Sequence, residues 1–125
     1  VKRVYLVDDS ELVRRRLVDM LSEIEDVEIV GQTGSAEQAE AEIRKLSPDV
    51  VILDIKLPGR NGIEVLREIE KDVPTPLVIM LTNYPYAQYR RECIEAGADY
   101  FLHKATEFER INDILRLPSG REEPA

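Results

Sequence analysis

The chain has one cysteine, one histidine and no tryptophan, and its bases are outnumbered by its acids. There are 17 lysines and arginines against 25 aspartates and glutamates in 125 residues, a net charge of -8. A lone thiol, Cys93, excludes an internal disulfide and is in keeping with a reducing compartment. The acidic balance argues against nucleic-acid binding by this segment, because phosphate backbones are gripped by clusters of Lys and Arg. No apolar run approaches the roughly 20 residues that cross a bilayer, and no signal-like segment opens the chain. The expectation is therefore a cytoplasmic protein with no membrane partner. Repeats and low-complexity tracts are also missing. What remains, 43% hydrophobic and 34% charged residues, fits one domain with a real core.

The organising stretch is VVILDIKLPGRNG. Val50, Val51, Ile52 and Leu53 read as a strand buried on both faces, and they run into Asp54 before Pro58, Gly59 and Gly62 turn the backbone. A second run, Val4 to Val7, ends in Asp8 and Asp9, with Ser10 as a helix cap. From there Val13, Leu17, Met20, Leu21 and Ile24 recur at helical spacing, and Arg14, Arg15 and Arg16 are expected to form a solvated face. Val27 to Val30 predicts a short edge strand, with Gly31 to Gly34 turning the chain. Ser35 and Gln38, Asn61 and Glu64, and Thr106 and Glu109 have capping-box spacing and predict the starts of three helices, ending near Leu46, ahead of Pro74 and before Pro118. Leu77 to Leu81 is another fully apolar run and ends at Thr82. A weaker helical pattern spans Tyr86 to Ala96 and stops at Gly97, and Tyr100 to Leu102 is a brief fifth strand ending at His103 and Lys104.

Five strands alternating with five helices predict an α/β fold, a doubly wound parallel sheet with helices on both faces. The strands ending at Leu53 and Leu81 should be central, and those at Val27 and Tyr100 near the edges. In such a sheet Asp8, Asp9, Asp54, Thr82 and Lys104 gather at the carboxyl ends of the strands, where ligands bind. Three carboxylates there need a counter-ion, and Mg²⁺ is the ready candidate. A carboxylate, a metal, a hydroxyl and an ammonium together suit phosphoryl transfer. Each residue also has an ordinary reading, as a helix N-terminal acid, a turn former or a solvated charge. Their coincidence at four strand ends favours the functional one.

With its VDDS, LDIKLPGRNG, MLT and YFLHK blocks, the chain from Val4 to about Leu117 resembles the receiver domain of bacterial two-component response regulators. The resemblance implies the sheet order 2-1-3-4-5 of the flavodoxin-like receiver fold. It implies a phosphoryl group passed to Asp54 from a phosphohistidine of a sensor histidine kinase or histidine phosphotransfer protein, with Mg²⁺ required. Asp9, Asp54 and the backbone carbonyl of Lys56 would hold the metal directly and Asp8 through a metal-bound water, while Thr82 and Lys104 would hold the phosphoryl oxygens. Phe101 matches the family's aromatic switch. Two positions depart from the family pattern: Ala105 replaces a common proline, and Asn83 replaces a small residue. We expect Asn83, Lys56 and Tyr84 to restrict attack by water. Tyr84, Tyr86 and Tyr89 are expected to cover the Thr82 loop, with a partner-binding patch as the other reading, and His103 is not expected to relay a phosphoryl group. Residues 1–117 are read as the receiver domain, and 118–125 as a flexible tail or the start of a linker. Its output would be a downstream protein target or a missing output domain. The alternatives are a receiver-like scaffold that is never phosphorylated and a metal-dependent phosphatase or phosphotransferase, for which the chain leaves little room to build a specificity pocket.

Overall fold

A computed structural model of the chain describes residues 1–72 and 74–118. Residues 119–125 of the expected tail lie outside them. The described residues form β1 (Lys2–Val7), α1 (Glu11–Leu21), β2 (Val27–Thr33), α2 (Ala36–Leu46), β3 (Val50–Leu53) and α3 (Gly62–Ile69). The series continues with β4 (Leu77–Thr82), α4 (Ala87–Glu95), β5 (Tyr100–His103), α5 (Lys104–Glu107) and α6 (Arg110–Arg116). All strand pairs are parallel, in the order β2-β1-β3-β4-β5. The two uninterrupted apolar runs, β3 and β4, lie inside as expected, and β2 and β5 form the edges.

Strand alternation divides the core in two. Tyr5, Val7, Val51, Leu53, Val78, Met80 and Phe101 face α2, α3 and Cys93 of α4. Val4, Leu6, Ile52, Ile79, Leu81 and Leu102 face Leu17 and Leu21 of α1 and Ile111, Ile114 and Leu115 of α6. Each face buries aliphatic side chains that contribute about 1.5–3 kcal/mol apiece when fully removed from water.

Several expected boundaries move. β1 starts at Lys2, and β2 continues through the glycine expected to turn the chain, as far as Thr33. The cause is a bulge: Val4 pairs with Ile29 but Tyr5 with Gly31, leaving Val30 as the extra residue. Gly31 is needed there because a Cβ would come within 2.7 Å of the Tyr5 ring, whose hydroxyl donates to Glu42 of α2 at 2.7 Å. α3 ends at Ile69, ahead of Pro74 as expected.

Of the expected capping boxes, only the forward half at Ser35 forms, and Asn61 caps its helix through the amide one residue short of Glu64. Ser35 Oγ accepts from Gln38 N–H, but the Gln38 side chain turns to Thr33 and Glu42. Asn61 Oδ1 accepts from Ile63 N–H, whereas Glu64 pairs with Arg60. The Thr106–Glu109 box is replaced altogether. The helix already begins at Lys104, Glu107 reaches back to His103 N–H at 3.0 Å, and the last helix is split into α5 and α6. The hydrogen bond from His103 N–H holds the Glu107 carboxyl below its usual range.

Candidate functional site

β1 and β3 are adjacent and in register, Val7 opposite Leu53, so the residues after each emerge side by side at one end of the sheet. Those residues are Asp8 and Asp54, and the ladder continues into them through Asp54 N–H donating to Val7 O and Asp8 N–H to Thr33 O, both at 3.0 Å. Carboxylate oxygens of Asp8, Asp9 and Asp54 lie within 4.8 Å of one another. Asp8 and Asp54 are 2% and 5% exposed, while Asp9 is exposed.

Lys104, the first residue of α5 and itself buried, places Nζ 2.7 Å from Asp8 Oδ2 and 2.8 Å from Asp54 Oδ2. The other oxygens accept backbone donors, Asp8 Oδ1 from Ser10 N–H at 2.9 Å and Asp54 Oδ1 from Ile55 N–H at 2.7 Å. Burial pushes the Asp8 carboxyl above its usual range, with Asp54 adding repulsion, and the Lys104 contacts reverse this only in part. Burial pulls Lys104 down, but its bonds to Asp54 and Asp8 outweigh that and leave its ammonium held above the usual value.

One ammonium does not neutralise three carboxylates, and among the described residues no hydrogen bond or ion pair engages the Asp9 side chain. A hard divalent cation fits this all-oxygen donor set, with Asp8, Asp9 and Asp54 able to hold it.

The loop after Asp54 is closed by a bridge between Lys56 and Asn61 and by Gly62 N–H donating to Ile55 O at 2.6 Å. α3 then starts directly beneath the site, so that a Cβ on Gly62 would sit 1.9 Å from Asp54 O. Thr82 ends β4 and is fully buried; its hydroxyl accepts from Tyr84 N–H at 3.1 Å, while the short contacts of Lys104 go to the two aspartates. The structure thus brings Asp8, Asp9, Asp54 and Lys104 into one cluster and turns the Thr82 hydroxyl toward its own loop.

The exposed Lys56 side chain reaches the tyrosines. Its Nζ donates to Tyr89 at 3.2 Å and lies 5.3 Å from the ring centroids of Tyr84 and Tyr89. Tyr84, Tyr86 and Tyr89 form a chain of tilted ring contacts at 6.2 and 5.8 Å, with Tyr86 61% exposed. Phe101 is buried, and Arg90 of α4 donates to its carbonyl at 3.4 Å. His103 is half-buried, with Nδ1 3.2 Å from the Thr106 hydroxyl.

The expected solvated arginine face holds for Arg15 and Arg16, both exposed, and not for the half-buried Arg14. Arg15 pairs with Glu11 at the surface and Arg16 lies over the Phe108 ring at 4.0 Å. Arg14 instead turns into the rim of the site, donating to the backbone oxygen of Asp8. Its place four residues after the Ser10 cap, in the first helical turn beside the acids, was the one available signal.

Residues 4–116 match the family model described as the response regulator receiver domain. The chain is 39% identical over 102 residues to the DNA-binding transcriptional activator DevR/DosR of Mycobacterium tuberculosis, covering 82% of this chain and 47% of that protein. It is 33% identical over 120 residues to the response regulator protein VraR of Staphylococcus aureus, covering 96% and 57%. The crystal structure of the response regulator domain of Thermotoga maritima CheB superposes with a TM-score of 0.81 at 34% identity, covering 92% of this chain and 90% of that one. The chain spans about half the length of the curated relatives it matches.

Proposed function

Because the chain belongs to the response regulator receiver domain family, and so is a phosphoacceptor signalling domain of a two-component system, we propose that Asp54 is the acceptor. The observation that supports this most directly is the shared lysine: one buried ammonium spans Asp8 and Asp54 beside the exposed Asp9. In the reaction, a carboxylate oxygen of Asp54 attacks the phosphorus of a phosphohistidine on a sensor histidine kinase or histidine phosphotransfer protein. The P–N bond breaks with its electron pair going to the imidazole, and an O–P bond forms. The product is an acyl phosphate on Asp54.

Asp8, Asp9, Asp54 and the Lys56 carbonyl would hold Mg²⁺, which when bound neutralises charge on the phosphoryl oxygens. Lys104, already bonded to Asp54, holds one phosphoryl oxygen, and Thr82 donates its hydroxyl to another once it leaves the Tyr84 amide. That movement, joined by a turn of the Phe101 ring, is the conformational change that a downstream protein target or output domain would read. The domain promotes its own phosphorylation and later dephosphorylation by positioning these groups. Asn83, Lys56 and Tyr84 form a screen at the mouth that slows the approach of water. Residues 1–117 act as the receiver unit.

Incubation with Mg²⁺ and a small phosphodonor, followed by intact mass measurement, tests the assignment. The parent gains one phosphoryl group and Asp54→Ala gains none. No gain in the parent with either the donor or a cognate kinase would leave a scaffold that binds partners unphosphorylated.

A further inference from the structure

Arg14 stands on the first turn of α1, half-buried, at the junction of three segments. Its Nη1 donates to the backbone oxygen of Asp8 at 2.5 Å and its Nε to Gln32 Oε1, near the end of β2, at 3.1 Å. The space it occupies is left by Gly34. A Cβ there would lie 3.3 Å from Arg14 Nη1, 3.1 Å from Asp9 Cα and 3.4 Å from Asp8 O. The guanidinium therefore ties the loop carrying Asp8 and Asp9 to the end of β2, using the planar fork that a lysine lacks. It touches the backbone of that loop, and no hydrogen bond or ion pair joins it to a carboxylate of the cluster.

We propose that Arg14 is a positioning residue for the divalent-cation site: by fixing the Asp8 carbonyl it sets where the Asp8 and Asp9 carboxylates stand, and so how tightly the cation is held. This rests on the Mg²⁺ reading above. Positioning and bare charge predict opposite signs. A cation close to three carboxylates weakens binding of a second cation by repulsion, so if charge alone mattered, removing Arg14 would tighten Mg²⁺ binding. If positioning dominates, removal loosens it, and Arg14→Lys, which keeps the charge but loses the fork, loosens it too.

The test is calorimetric titration of Mg²⁺ into the parent, Arg14→Gln and Arg14→Lys, with thermal unfolding of each protein measured without the metal. The expected result is a Kd raised on the order of tenfold in Arg14→Gln and by less in Arg14→Lys, as is usual for residues that orient metal ligands. Arg15→Gln, one residue along the same helix, should bind Mg²⁺ as the parent does. Tighter or unchanged binding in Arg14→Gln overturns the proposal. So does a Kd change that Arg15→Gln reproduces, or a lowered melting temperature with an unaltered Kd. A parent that binds no Mg²⁺ at all would instead overturn the metal reading on which the proposal stands.

Discussion

At the scale of single residues, the pair Tyr5 and Glu42 shows how a polar group is made compatible with a core. Burial, and then the Glu42 carboxylate, push the Tyr5 hydroxyl well above its usual value. The Tyr5 hydroxyl, and then Gln38, hold Glu42 below 4.5. A depressed carboxyl contributes stability that is present above its unfolded pKa and lost as the pH falls through the folded one. Tyr5→Phe should therefore cost about 1 kcal/mol at neutral pH, with the gap from the parent closing as the pH is lowered beneath 4.5, as urea unfolding across pH would show. At the mouth of the site, Asn83→Ala should shorten the life of the acyl phosphate in a phosphate-release time course. Equal or slower loss would rule out the screen. The acids and Lys104 were legible in the sequence because each ends an apolar run, a pattern that survives without knowledge of contacts. Arg14 was marked only by its place in the first turn after Ser10, because in a run of three arginines the rotation of α1 against β2 decides which one turns inward.

At the scale of elements, α3 is the least tolerant of change, because its first residue abuts the backbone of the proposed acceptor. Gly62→Ala would force apart groups 1.9 Å from the new Cβ, and should destabilise the fold by about 2 kcal/mol or more while impairing phosphorylation. Denaturant midpoints and intact mass measure the two losses separately. α4 is the opposite case. Cys93 is its one buried residue, Tyr86 gives it no side-chain cap, and Ile94 is exposed. Its amides should exchange with deuterium faster than those of β3, and the Cys93 thiol, pushed up by burial to about 11, should be labelled by thiol reagents only as fast as α4 opens. The weak stripe from Tyr86 to Ala96 already carried that marginal packing. The strand order of centre and edge was legible from hydrophobicity, but the length of β2 was not, since glycines that admit a neighbouring ring look in sequence like glycines that turn the chain. Capping-box spacing likewise identified Ser35 and Asn61 while missing that Glu107, rather than Glu109, reaches back to its helix start.

At the scale of the whole molecule, the relatives are about twice as long, and two bear names that speak of regulation, one of them of DNA binding. With a net charge of -8, this segment by itself should show no salt-sensitive binding to duplex DNA, which fluorescence anisotropy at low ionic strength would measure. Any such binding would belong to further sequence. The geometry adds a constraint on how such sequence could be used. The Lys2 ammonium donates to the carbonyls of Leu115, at 2.6 Å, and of Leu117, clasping the start of β1 to the end of α6 at the pole of the sheet opposite Asp54. A module joined ahead of Lys2 would hang from that pole, some 20 Å of strand away from the chemistry. A strain carried down α6 would arrive at this clasp. Lys2 would then serve as a mechanical hinge pin between the last helix and the first strand.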